Sequence, residues 1–160
     1  MSVTVRTATH HDRDTIWSML EPVFQAGETY AIDRNISRDD ALSYWLAANS
    51  YVAEEGGQVL GTFYIRRNQP GGGAHVCNCG YVTARGAEGK GVARSMLAFS
   101  LDEARRLGFE AMQFNFVLEE NARAVAMWQR NGFDIIGRIP RAFYLPDGRI
   151  SDAFIMHRYL

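Results

Sequence analysis

The chain has 160 residues, with 17 Lys and Arg against 18 Asp and Glu, for a net charge of -1. That balance argues against general binding to nucleic acid or anionic membrane, both of which need a basic excess. The length fits a single domain, 1–160, and with no apolar run approaching about 18 residues and a polar, alternating N-terminal stretch MSVTVRTATHHD, neither a transmembrane helix nor a signal peptide is expected and a cytoplasmic location is.

Val3, Val5 and Thr7 alternate with polar residues, the period of a half-buried strand. The stretch DRDTIWSMLEPVFQAG reads as a helix capped by Asp12 or Asp14, with Ile16, Met19, Leu20 and Phe24 on one face and Pro22 kinking or ending it. Residues 27–35 have no period and read as a loop carrying Glu28, Thr29 and Tyr30. Ser37 and Asp40 form a capping-box pattern ahead of a second helix through Leu46. YVAEEGGQVLGTFYI is a hairpin across Glu55-Gly56-Gly57-Gln58, and 68–74 is a flexible loop.

His75 to Thr83 then reads as a strand, followed by a basic turn and a long helix from about Gly89, closed by Gly108. EAMQFNFV is a strand, LEENARAVAMWQRNGF a helix ended by Gly132, DIIGRI a strand, and ISDAFIMHRYL the last strand after the turn Pro146-Asp147-Gly148. The order predicts an α/β (α+β) fold with one mixed, mainly antiparallel sheet flanked by helices on both faces.

Cys77 and Cys79, two apart on one strand, share a face and sit poorly for a mutual disulfide. His75 shares that face, but three ligands on one flat strand cannot surround a tetrahedral zinc, so no metal is expected.

Gly89, Lys90, Gly91 and Ala93 put almost no side-chain bulk where the long helix begins. Unpaired N–H groups and the positive end of the helix dipole make that start an anion site, most naturally for phosphate. The P-loop pattern fails at Ala84 and at Gly91, and the dinucleotide fingerprint fails at Arg94. Glu88-Gly89-Lys90-Gly91-Val92-Ala93 does fit [QR]-x-x-G-x-[GA] except at Glu88. This resembles the pyrophosphate loop of the GNAT superfamily of N-acetyltransferases. Asn121 through Phe133 resembles the same family's N-x-x-[AS]-x-x-x-[YW]-x-x-x-G-F.

The resemblance covers nearly the whole chain. It implies acetyl-CoA as co-substrate, with the diphosphate on Glu88, Gly89, Lys90, Gly91, Val92, Ala93 and Arg94. The pantetheine arm would run beside Tyr81, Val82 and Thr83, and Asn121 would contact the cofactor. Arg85, Lys90 and Arg94 would offset the carboxylate of Glu88. Asn121 also reads as a helix N-cap, a compatible role. Trp128 stands where many relatives carry a tyrosine proposed to protonate the thiolate; indole is no useful acid, so Trp128 reads as pocket wall or core.

Strand parity puts Asn78, Gly80 and Val82 on one face and Gln113, Asn115 and Val117 on one face of the next strand. Buried asparagines need partners, so Asn78 and Asn115 either bond one another or a loop, or line the acceptor site. His75, Asn78, Asn115 and Trp128 also resemble the pattern of fungal acetyltransferases acting on proline analogues and their bacterial relatives, in which the asparagine matching Asn115 orients the substrate amine. Glu28 is the leading charged candidate to bind or deprotonate the acceptor. The expected activity is acetyl transfer to the amine of a small molecule, such as an amino acid or analogue, with Asn115, Glu28 and Asn78 as catalytic candidates. Acetylation of a protein N-terminus or lysine, or acyl-CoA binding without turnover, are the alternatives. A homodimer is the expected assembly.

Overall fold

The computed structural model describes residues 2–160; Met1 lies outside them. Strand β1 (Thr4–Thr7) leads through a short 3-10 turn to α1 (Arg13–Ala26) and α2 (Arg38–Leu46). The hairpin β2 (Asn49–Glu55) and β3 (Gln58–Arg67) is followed by β4 (Val76–Thr83), α3 (Val92–Arg106), β5 (Ala111–Leu118), α4 (Ala122–Arg130), β6 (Asp134–Tyr144) and β7 (Ile150–Tyr159). No helix among the described residues is long and apolar enough to cross a membrane.

The seven strands form one sheet in the order β1-β2-β3-β4-β5-β7-β6. Every neighbouring pair is antiparallel except β4 and β5. Helices cover both faces, as the apolar periods require. On one face Ile16, Met19, Leu20 and Phe24 of α1 join Leu42 and Trp45 of α2 over Val52, Tyr64 and Val82. On the other, Val92, Met96, Leu97 and Leu101 of α3 and Trp128 of α4 cover Phe63, Cys77, Cys79, Met112 and Phe114. Trp45 is fully buried, and its indole N–H donates to Thr62 Oγ1 at 3.0 Å, so the polar handle of the core tryptophan is satisfied.

α1 fills the stretch expected to be helical, and Pro22 does not end it, because the apolar face from Ile16 to Phe24 stays packed although the ring removes one helical hydrogen bond. Three local expectations change. α3 begins at Val92, not Gly89, since Gly89 and Gly91 both hold left-handed backbone (φ 79° and 80°). β6 runs on to Tyr144 through Pro140; as an edge strand it tolerates a missing donor, and its register with β7 shifts between Ile139 and Phe143. Finally, β5 carries a bulge between Phe114 and Val117, which moves Val117 to the α3–α4 face with Phe114 and away from Gln113 and Asn115.

Candidate functional site

The parallel ladder between β4 and β5 has two rungs, Val76 with Ala111 and Cys77 with Met112. Beyond them the strands diverge, and the bulge in β5 bends it further away. Alternation along β4 sends the backbone groups of Val76 and Ala84 to β3, and with them those of Val82. Those of Cys79, Tyr81 and Thr83 therefore face the divergence. The result is a strand edge opening inside the sheet rather than at its rim.

A cavity of about 450 Å³ fills that opening. Its walls come from β4 (Asn78 to Thr83), β5 (Phe114 to Leu118), α4 with Asn121, and the loop carrying Thr29 to Ile32. None of the described residues lining it is charged. Gly80 is needed on its floor, because a Cβ there would sit 2.6 Å from the Tyr64 ring. Tyr30 reaches over the loop into this space. Its hydroxyl donates to the Tyr81 carbonyl at 2.8 Å and accepts from the Tyr81 N–H at 2.9 Å. Burial raises the pKa of this phenol, which keeps it protonated.

At the end of β4 the loop from Arg85 to Gly91 delivers the chain to α3. Gly91 is the N-cap and offers no side-chain cap, and the first helical bond comes from the Ser95 N–H to the Gly91 carbonyl. The N–H groups of Val92, Ala93 and Arg94 precede that bond, so they are the open donors of the helix start. Arg85, Lys90 and Arg94 are exposed around it and take no part in the salt bridges among the described residues. The carboxylate of Glu88 turns back to accept the Gly86 N–H at 2.7 Å. Ala93 lines the same cavity as Tyr81 and Thr83, so the open start of α3 adjoins the strand edge.

The acetyltransferase (GNAT) family model matches residues 13–133, which include β4, this loop, α3 and α4. The chain belongs to the GNAT family of acetyltransferases. It is an acetyl-CoA-dependent N-acetyltransferase domain. This GNAT domain is similar to a GCN5-related N-acetyltransferase from Kribbella flavida, with 38% identity, a TM-score of 0.94, and 99% of this chain and 98% of that one covered. It is 27% identical to the N-acetyltransferase aca1 of Schizosaccharomyces pombe over 74% of this chain, and spans 65% of that relative's length. A phosphinothricin acetyltransferase from Sinorhizobium meliloti, in complex with acetyl-CoA, shares the fold at 21% identity and a TM-score of 0.87, over 100% of this chain and 89% of that one.

The residues expected at the GNAT site fall unevenly. Tyr81, Val82, Thr83, Ala93, Asn121 and Trp128 all line the cavity, but the Val82 backbone belongs to β3 and only its side chain reaches the space. Asn121 is an N-cap, its Oδ1 accepting from the Ala124 N–H at 3.4 Å, and it also faces the cavity. Trp128 is buried with its ring centroid 4.6 Å from Phe114 and 5.5 Å from Tyr81, a wall of packed aromatics.

Asn78 and Asn115 do line the cavity, but the premise that both are buried is corrected. Asn115 is exposed; its Nδ2 donates to Asn68 Oδ1 at 2.6 Å and its Oδ1 accepts from Gln113 Nε2 at 3.0 Å. Asn78 is half-buried and bonds the Gln113 carbonyl. Glu28 is exposed and lines a neighbouring cavity with Glu120, Asp147 and Arg149. Thr29 and Asn121 border both spaces, so Glu28 stands beside the main opening rather than in it. Three tyrosines that line the cavity, Tyr30, Tyr44 and Tyr64, are not among the expected site residues; Tyr30 lies in a loop with no period to give its side chain a direction. A run of hydroxyl-bearing residues in an aperiodic loop between two helices was the available signal.

Proposed function

We propose that this domain moves the acetyl group of acetyl-CoA to the amine of a small molecule, in the class of amino acids and their analogues, by direct attack. The observation that carries this reading is the uncharged cavity where β4 and β5 part, walled in part by the loop with Thr29 to Ile32. A space of about 450 Å³ suits an acyl arm and a small acceptor better than a folded protein surface. Its lack of charged walls favours a neutral amine, the form that attacks a thioester.

In this reading the diphosphate takes the open donors of Val92, Ala93 and Arg94, and the pantetheine arm adds to the edge of β4 at Thr83 and, in place of the Tyr30 hydroxyl, at Tyr81. A β4 N–H polarises the thioester carbonyl, and that donor strengthens as charge builds on oxygen. Asn115, exposed at the cavity wall and already paired to Asn68, orients the acceptor amine. Acetyl-CoA supplies the activated acyl group; the chain supplies position and dipoles. Catalysis is tested by thiol release from acetyl-CoA against a panel of amino acids, proline analogues and small amines. Release with one acceptor class supports the reading. Silence across the panel, with acetyl-CoA still bound, would shift it to a protein acceptor or a binding module. The phosphinothricin acetyltransferase likeness bears on the choice of panel only as a shared fold.

A further inference from the structure

The Tyr81 backbone is the part of the β4 edge that already has a partner. One phenolic oxygen, that of Tyr30, takes both its N–H and its C=O, at 2.9 and 2.8 Å. A thioester carbonyl polarised by that N–H would need the space the phenol oxygen holds. Tyr30 is held there from one side by aromatic packing. Its ring meets Phe24 edge-on at 5.8 Å and Trp45 at 6.3 Å between centroids.

Thr29 and Thr83 also line the cavity, but an aliphatic hydroxyl is a poorer proton donor than a phenol, and the other phenols there are committed elsewhere. Those of Tyr44 and Tyr64 bond one another at 3.1 Å, and that of Tyr81 points through the sheet to Ser100 at 2.7 Å. Trp128 offers an indole N–H and no acid. Cys79 borders the cavity from the α3–α4 core, where burial raises its pKa and keeps it a thiol. Among the phenols lining the cavity, Tyr30 is the one whose hydroxyl sits on the Tyr81 backbone at the β4 edge.

We propose, on the acetyl-transfer reading above, that Tyr30 is a catalytic residue: the incoming thioester carbonyl takes over the Tyr81 N–H, and the displaced phenol donates its proton to the departing sulfur. The amine nitrogen attacks the carbonyl carbon and forms the C–N bond. The C–S bond then breaks, with its electron pair leaving on sulfur. The phenol O–H proton passes to that thiolate, and the phenol oxygen recovers a proton from the nitrogen of the nascent amide. The protein ends as it began. Because the same hydroxyl competes with the thioester carbonyl for the Tyr81 N–H, its removal should help binding while harming turnover.

The test is Tyr30→Phe, which keeps the ring and its packing and removes only the hydroxyl. Thiol release at saturating acetyl-CoA and acceptor should fall by about 100-fold, the usual scale for one acid–base group, while the calorimetric Kd for acetyl-CoA stays level or tightens. A structural role would instead weaken cofactor binding and lower the melting temperature along with the rate, and that pattern would overturn the proposal. So would an unchanged kcat. A second measurement uses the wild-type chain alone: the Tyr81 amide resonance should shift when acetyl-CoA is added, and an unmoved resonance in the saturated complex also overturns it. A wild type with no turnover on any amine would sink the acetyl-transfer reading itself, and Tyr30's role with it; an active wild type with an equally active Tyr30→Phe sinks Tyr30 alone.

Discussion

Asn78 Nδ2 donates to the main-chain carbonyl of Gln113 at 2.9 Å, one position beyond the last rung of the parallel ladder. A side chain thus spans the gap where the backbone ladder stops. Its other end is held too, with Asn78 Oδ1 accepting from the Tyr64 hydroxyl at 3.4 Å. The geometry makes Asn78 a strut at the apex of the divergence. Asn78→Ala leaves the Gln113 carbonyl without this donor and should cost about 1–2 kcal/mol, or about 3–6 °C in a chain of this size. A thermal melt checks it. An unchanged melting temperature with a raised acceptor KM would make Asn78 a substrate contact instead.

The difference between what the sequence disclosed and what it hid follows from the range of the interactions. Ile16, Met19, Leu20 and Phe24 declared their face because helical spacing is local, and all four are buried where the spacing put them. The open start of α3 was legible for the same reason, in the glycines at 89 and 91. The divergence of β4 from β5 was not, because which strands pair, and for how many rungs, is a long-range property. The bulge that turns Val117 away from Asn115 breaks strict alternation and leaves no local mark. Tyr30 reaches a residue 51 positions away, and nothing around it in the chain points there.

Gly91 separates a backbone requirement from a ligand requirement. It holds φ 80°, and a Cβ added there would meet no atom within 4 Å. Gly91→Ala therefore costs only the left-handed strain, about 1 kcal/mol, in the free protein. The methyl would project where a diphosphate approaches the open donors of α3, so acetyl-CoA affinity should fall by about tenfold or more, well beyond the stability loss. Calorimetry with acetyl-CoA beside a melt separates the two. Equal affinity in a folded Gly91→Ala protein would remove this loop from the cofactor site.

Glu88 is the position where this loop departs from its relatives' pattern. Its carboxylate caps the Gly86 N–H at 2.7 Å, so it has a local structural task and also places negative charge beside an anion site. Glu88→Gln keeps an oxygen to accept that N–H and removes the charge. Acetyl-CoA should bind about 3–10-fold more tightly at low salt, and the gain should shrink at high ionic strength, where the repulsion is already screened. An affinity that does not change with either the substitution or the salt would show that the diphosphate lies farther from Glu88 than the loop geometry implies.

Asp12 supplies a pH dependence that is independent of the site. Its carboxylate receives both ends of the Arg6 guanidinium at 2.9 Å and the Thr9 N–H at 2.7 Å, tying β1 to the start of α1. The Arg6 bond, opposed by burial and aided by Thr9, lowers the Asp12 pKa from 3.8 to about 2. A carboxylate whose folded pKa lies below its unfolded value stabilises the fold above the unfolded pKa and loses that contribution as pH falls through the folded one. The window here runs from about pH 4 down to about pH 2. Because the Arg6 side chain is 40% exposed, solvent screening reduces the contribution to about 1–2 kcal/mol. Urea midpoints of the wild type and Asp12→Asn should therefore differ at pH 7 and converge toward pH 2. A gap that stays constant across that range would mean that shape, rather than the charge of Asp12, holds the β1–α1 junction.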